Sequence, residues 1–204
     1  MRLRNPFSVF LLVHYVTIAE CKLPSVKKTY NIRKFLWTNN HIWTFLTTGA
    51  TQCVCQADVT HSIDEKEITY YHYFLSHGGT KKHTKMHGIF LGKNIMRVQP
   101  HGPPNPITHE LLYSDMYSKC AVFKVSSVVS PGGTMNMLNL RVWNTSNIAT
   151  AAQPCIPQFR KRSTKGHLVY KNFCQEELAK GRPSQDQDME GRSNPHDLVC
   201  RKYG

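Results

Sequence analysis

Acidic side chains are scarce in this chain: 13 Asp and Glu stand against 26 Lys and Arg, a formal charge of +13 with every His neutral. So basic a balance favours acidic partners over cationic ones, without saying which acid. Long apolar runs are missing too. Outside the extreme N-terminus no stretch of about 18 apolar residues occurs, which excludes a multi-span membrane protein. Gly-x-Ser-x-Gly, His-Glu-x-x-His and a phosphate-binding Gly loop are all absent, and no spacing of Ser, His and Asp singles out a triad. The chain therefore reads as no enzyme, with no cofactor. No internal repeat is visible. What is present, 204 residues at 40% hydrophobic and 19% charged, suits one folded domain with a tail rather than a disordered chain. Seven Cys in that length would be unusual in the cytosol without a metal.

The first segment reads as an address. Arg2 and Arg4 form a charged start, and Phe7 to Ile18 is mostly apolar but too short to span a bilayer comfortably. Small residues follow. Cleavage after Ala19 leaves seven Cys; cleavage after Cys21 leaves six, and an even count lets every thiol pair. The expected organisation is a signal peptide over 1–21, a main domain over 22–180 and a cross-linked tail over 181–204, in a secreted, monomeric protein.

Residues 25–36 hold a possible short helix. From residue 41 the pattern is β-branched and aromatic with partial alternation: HIWTFLTT, TQCVCQADVTHSI, KEITYYHYFLS, HTKMHGIFLG, SKCAVFKVSSVV and TMNMLNLRVWN, separated by Gly- and Pro-rich turn signals. Six or more such strands mean a β-sandwich or an up-and-down barrel. After Pro154 the signal turns helical over roughly 156–164, Gly166 supplies a stop, and 167–171 reads as a last short strand.

Four stretches carry a resemblance. They are Tyr30-Asn31-Ile32-Arg33-Lys34-Phe35 leading to Ile42-Trp43-Thr44; Cys55-Gln56-Ala57-Asp58-Val59; Tyr113-Ser114-Asp115 through Lys119-Cys120-Ala121-Val122-Phe123; and Leu140-Arg141-Val142-Trp143-Asn144-Thr145-Ser146 with Cys155 beyond. Their order and spacing, sampling residues 30 to 174, resemble the tick salivary lipocalins of the histamine-binding type. The resemblance implies an all-β, antiparallel up-and-down barrel with a C-terminal α-helix. It also implies a secreted scavenger that binds a host amine or lipid mediator and so helps evade host defence. It further implies disulfides Cys55–Cys174 and Cys120–Cys155. Cys53 and Cys200 remain, and pairing them would fasten the tail. Cys53 and Cys55, two apart on a strand, share a face, expected on the outside where the C-terminal helix can meet them.

Many amine-binding members carry a Cys-Asp-aliphatic step and a Glu-Leu-aromatic step, whose two carboxylates neutralise a protonated amine removed from water. Here those steps read Cys120-Ala121-Val122 and Asn139-Leu140-Arg141. Alternation puts Ala121 with Phe123, and Asn139 with Arg141. If these rows face the lumen, the site has lost two negative charges and gained a positive one, which favours an anionic lipid over an amine. A register shifted by one sends Arg141 to solvent instead. In either register the resemblance, whose members can carry a second pocket, leaves Asp58 and Asp115 to hold an amine elsewhere in the barrel, with a solvated or capping carboxylate as the alternative. The resemblance makes Trp43 a lumen or barrel-base residue, with core packing as its alternative. Tyr71 and Tyr73 share a face, either a pocket wall or ordinary core.

His72, His77, His83 and His87 invite a metal reading, but Lys81, Lys82 and Lys85 would repel a cation, so a solvated basic hairpin and no metal are expected. Joined with Arg160, Lys161, Arg162 and Lys165, that hairpin offers a second function: a surface binding heparin-like sulfated polysaccharide. Asn144-Thr145-Ser146 is an N-glycosylation sequon. Nucleic-acid and membrane partners are not expected.

Overall fold

The structure, a computed structural model, describes residues 28–76, 78–100, 106–129 and 133–179. The expected signal peptide, tail and Cys200 lie outside the described residues, as does His77. Eight antiparallel strands follow one another around a closed barrel: β1 (Ile42–Thr47), β2 (Val54–Ile63), β3 (Glu67–Leu75), β4 (Lys81–Phe90), β5 (Ile95–Pro100), β6 (Ile107–Asp115), β7 (Cys120–Val129) and β8 (Gly133–Trp143). Each pairs with the next, β8 returns to β1, and β1 pairs with β2 to close the ring. Of the two architectures left open by the strand count, this is the up-and-down barrel, which removes sheet edges by closure. Strands β5 and β6 lie outside the six runs read from sequence. Their Arg97, Gln99, His109 and Glu110, and the prolines between them, dilute the pattern.

A bulge lets β2 leave β1. The register shifts between Val54 and Ala57, and Cys55 sits there with φ 55°, a left-handed conformation uncommon for a non-glycine residue. Strand β9 (His167–Leu168) takes up the vacated edge of β1, pairing at Leu46 and Thr47, and Val169 links the two sides through Cys55 and Phe45 backbone bonds. This last strand is shorter than the expected 167–171.

Helix α1 (Ile32–Leu36) falls inside the expected 25–36. It starts at Asn31, whose side chain accepts from the Lys34 amide, and it buries Ile32, Phe35 and Leu36 in one end of the barrel. Phe35 meets Phe123 and Trp143 there, and the Trp143 indole donates to the Phe35 carbonyl at 3.0 Å, so that end is plugged. The C-terminal helical path begins earlier and ends sooner than 156–164. It runs through α2 (Ile148–Ala152), a 3₁₀ turn (Gln153–Cys155) and α3 (Ile156–Arg160). Asn147 supplies the cap for α2, accepting from the Thr150 amide. Pro154 and Pro157 stand in first-turn positions, where a missing N–H costs little, so proline punctuates this path without breaking it. Gly166 follows because a Cβ there would approach the Phe159 ring to 2.8 Å. A final helix, α4 (Cys174–Ala179), was not anticipated.

Two apolar cores result, one on each side of the same wall. The inner one gathers Ile42, Ile68, Tyr70, Met96, Val98, Leu111, Phe123 and Val125 around the α1 plug. The outer one lies under the C-terminal segment, where Trp43, Phe45, Leu140 and Val142 pack against Ile148, Phe159 and Tyr170. Both disulfides implied by the resemblance are present: Cys55–Cys174 ties β2 to α4, and Cys120–Cys155 ties β7 to the 3₁₀ turn. Cys53 is buried. Among the described residues, no helix is long and apolar enough to cross a membrane.

Candidate functional site

Inside the barrel, above the apolar plug, lies a cluster of buried polar side chains. Strand β8 presents Asn139 and Arg141 inward, between the outward Leu140 and Val142; β7 presents Ala121 and Phe123 beside them, with Ala121 opposite Arg141 and Phe123 opposite Asn139. Arg141 is only 4% exposed. Its Nη1 donates to Asp58 Oδ2 at 2.9 Å, and its guanidinium lies over the Phe123 ring at 4.8 Å from the centroid. The other carboxylate oxygen, Asp58 Oδ1, lies 2.6 Å from His72 Nδ1, so the histidine donates through that nitrogen. Asn139 is held in place by the Thr47 hydroxyl, which donates to its Oδ1 at 2.7 Å.

These contacts set the charge states. Burial alone would push the Asp58 carboxyl up, but the Arg141 guanidinium and His72 outweigh it and hold the group below the usual carboxylate range. The Asp58–Arg141 pair therefore stays ionised and internally neutral. His109 enters from β6 at 5% exposure; burial, reinforced by Arg141, pushes its imidazole down to about 3, so it is uncharged at neutral pH. Burial also pushes the Tyr70 phenol up.

Within this cluster two buried polar atoms have no hydrogen-bond partner, Arg141 Nε and His109 Nδ1. Leaving such a group unmet costs about 1–3 kcal/mol, and native interiors pair nearly all of them. Asp58 is the reverse case. It is the one buried carboxylate among the described residues, and both of its oxygens are engaged.

The residues singled out from sequence divide between the two faces. Arg141, Asn139 and Phe123 come together inside. Trp43 does not: Ile42 and Thr44 point inward, while Trp43 points into the outer core, meeting the Tyr170 ring edge to face and donating its indole N–H to Asn144 Oδ1 at 2.8 Å. An apolar side chain gave no clue here, because both faces of β1 are buried. Tyr71 and Tyr73 also point outward, forming a half-exposed row with His61 and His83, while their neighbours Tyr70 and His72 take the inside. Asp115 caps the β6–β7 turn, accepting from the Tyr117 and Ser118 amides at 3.0 Å each, and it faces an open hollow with Lys28, Lys34 and Lys93 outside the lumen. The Asn144 side chain also accepts from Gln175, so its carboxamide fastens α4 to the end of β8.

His109 was missed because β6 was not read as a strand; with that strand in hand, alternation groups His109 with the inward Ile107 and Leu111. The histidines that invited a metal reading separate, His72 inside and His83 and His87 outside. The two basic segments separate as well. Lys81 to Lys85 lie on β4, whereas α3 packs on β8, four strands away in a ring of eight, so they form two surfaces rather than one patch.

No protein-family model and no curated protein matches the chain. Solved structures do. Apocrustacyanin C1 is 13% identical, with 79% of this chain and 82% of that one covered at a TM-score of 0.50. Lobster apocrustacyanin A1 is 14% identical, with 87% and 98% covered at 0.50. A bovine odorant-binding protein variant is 10% identical, with 63% and 90% covered at 0.46. Likeness at this identity concerns the fold, which is that of the lipocalins.

Proposed function

We propose that this chain, lipocalin in fold, is a secreted binder that sequesters a small mediator in its lumen, and that the ligand's polar head is anionic rather than a protonated amine. The observation that carries the reading is the buried Arg141, paired on one edge and unpartnered at Nε. A carboxylate accepts from that edge. A protonated amine meets a cation there, and Asp58, its nearest source of negative charge, is already bound on both oxygens. The aromatic and aliphatic inner wall suits an apolar tail. The tick-lipocalin resemblance supports a host inflammatory mediator as target, an anionic lipid in preference to the biogenic amine of the amine-binding members. The basic leader and the disulfides support export to an oxidising compartment.

Titration of the mature protein with histamine, serotonin, a leukotriene and a fatty acid tests this. Saturable lipid binding that weakens in Arg141→Gln, with the amines silent, is the expected result. Saturable amine binding without lipid binding overturns it. If none binds, salt-sensitive retention on a sulfated matrix becomes the next experiment, since the exterior remains strongly basic.

A further inference from the structure

The geometry points to a carboxylate-headed apolar ligand seated between Arg141 and His109, bound together with one proton that His109 takes from solvent. This rests on the lumen reading above and adds its second anchor and its pH dependence. The two unpartnered atoms stand on different strands, β8 and β6, and both side chains are more than nine-tenths buried in the same interior. The guanidinium is used on one edge by Asp58 and on one face by Phe123, which leaves the Nε–H edge as its free donor. A carboxylate brings two acceptor oxygens, one for Arg141 Nε–H and one for a histidine N–H. An alcohol brings one acceptor, and an ammonium brings none.

Charge balance then assigns the proton. Arg141 is already neutralised by Asp58, so a carboxylate adds one uncompensated negative charge to a desolvated space. The groups facing His109 are few. From β8 comes Arg141, already protonated; from β2 comes Asp58, whose protonation would break its pair; from β3 come His72, committed to Asp58 through Nδ1, and Tyr70, already neutral. Neighbouring β5 and β7 present Met96, Val98, Phe123 and Val125, all apolar, and Lys82 of β4 sits in the row of Phe74, nearer the rim. His72 could take a proton only at Nε2, the ring edge away from Asp58, whereas His109 accepts one without losing an existing bond and carries the buried, unpartnered nitrogen that a ligand carboxylate would meet. In the free protein burial and Arg141 keep it neutral; a carboxylate beside it reverses the balance. The step is balanced as carboxylate plus neutral imidazole plus one proton from buffer, giving a carboxylate–imidazolium pair.

Calorimetry of decanoate binding in buffers of different ionisation heat reads this directly, between about pH 6 and about pH 8 where the acid itself stays ionised. The expected result is uptake of about one proton per decanoate and affinity rising about tenfold for each pH unit lowered. Decanol is expected to bind without uptake. In His109→Gln, with its fold checked by near-ultraviolet circular dichroism, uptake disappears. The ¹⁵N shifts of His109 in the unmodified protein give a second reading, moving from neutral to imidazolium values as decanoate is added. Decanoate binding with no proton uptake overturns the inference and leaves the lumen reading standing. Uptake that persists in His109→Gln and vanishes in His72→Gln also overturns it, placing the proton on the other histidine. No decanoate binding at all overturns both.

Discussion

Strand β8 sends Leu140 and Val142 to one side and Asn139 and Arg141 to the other, and the two rows are stabilised by different means. The outer row packs into an apolar layer of Trp43, Phe159 and Tyr170 crossed by two disulfides. The inner row holds an ion pair and a buried amide, faces His109 of β6 and the Phe123 ring, and leaves one polar atom unpartnered on Arg141 and one on His109. Buried ion pairs seldom add net stability, so the interior's polar groups are a cost that the outer layer offsets. The difference teaches where to look for function: the wall is held from outside, which leaves the inside free to carry groups chosen for a ligand.

The comparison is broken most severely from the outside. Removing Cys55–Cys174 as the double variant Cys55→Ala/Cys174→Ala frees a loop closed over 119 residues and is expected to lower stability by about 5 kcal/mol, with ligand affinity little changed; denaturant unfolding checks it. Cys120–Cys155, separated by 35 residues, is expected to contribute somewhat less, about 4 kcal/mol. From the inside, Arg141→Met strands the Asp58 charge and should cost about 4 kcal/mol, whereas Asp58→Leu/Arg141→Met should recover most of that loss while binding of an acidic ligand is gone. Equal destabilisation by the single and the double variant would contradict the ledger for the interior.

Acid sharpens the same contrast. His109 has a folded value of about 3 against an ordinary 6.5, so on acidification the unfolded chain takes a proton that the folded one refuses. Stability is therefore expected to fall by about 1.4 kcal/mol per pH unit between those values, and His109→Gln to remove that slope. Asp58, held low, adds a loss of the same sign as pH falls on through the carboxylate range. The smallest effect is the most specific: Trp43→Phe should cost about 1 kcal/mol through its lost bond to Asn144 and leave ligand binding intact. Weakened ligand binding in that variant would return Trp43 to the site.

Alternation put Asn139 and Arg141 on one face of β8, and the motif of the resemblance pointed that face to the lumen with a shifted register left open; the barrel turns it inward, opposite Phe123 and Ala121. Alternation failed on β1, where a buried outer face makes Trp43 and Ile42 equally apolar choices, and on β3, where Tyr71 and Tyr70 are the same residue with opposite surroundings. The pairing of Asp58 with Arg141 spans 83 positions and reaches past β1 from β2 to β8, so no local pattern announces it. The disulfides came from the family resemblance rather than from spacing, and both described bonds follow it. What sequence offered was thus one row that the barrel turns inward; the neighbours of that row depended on ring closure.

The most direct test follows the side-chain N–H signals of ¹⁵N-labelled protein as decanoate is added. Arg141 Nε–H is expected to shift strongly, with the His109 ring, while the Trp43 indole, bonded to Asn144 in the outer core, stays where it was. A shift at Trp43 with Arg141 Nε–H unmoved would contradict the account, placing the ligand on the outer side of the wall.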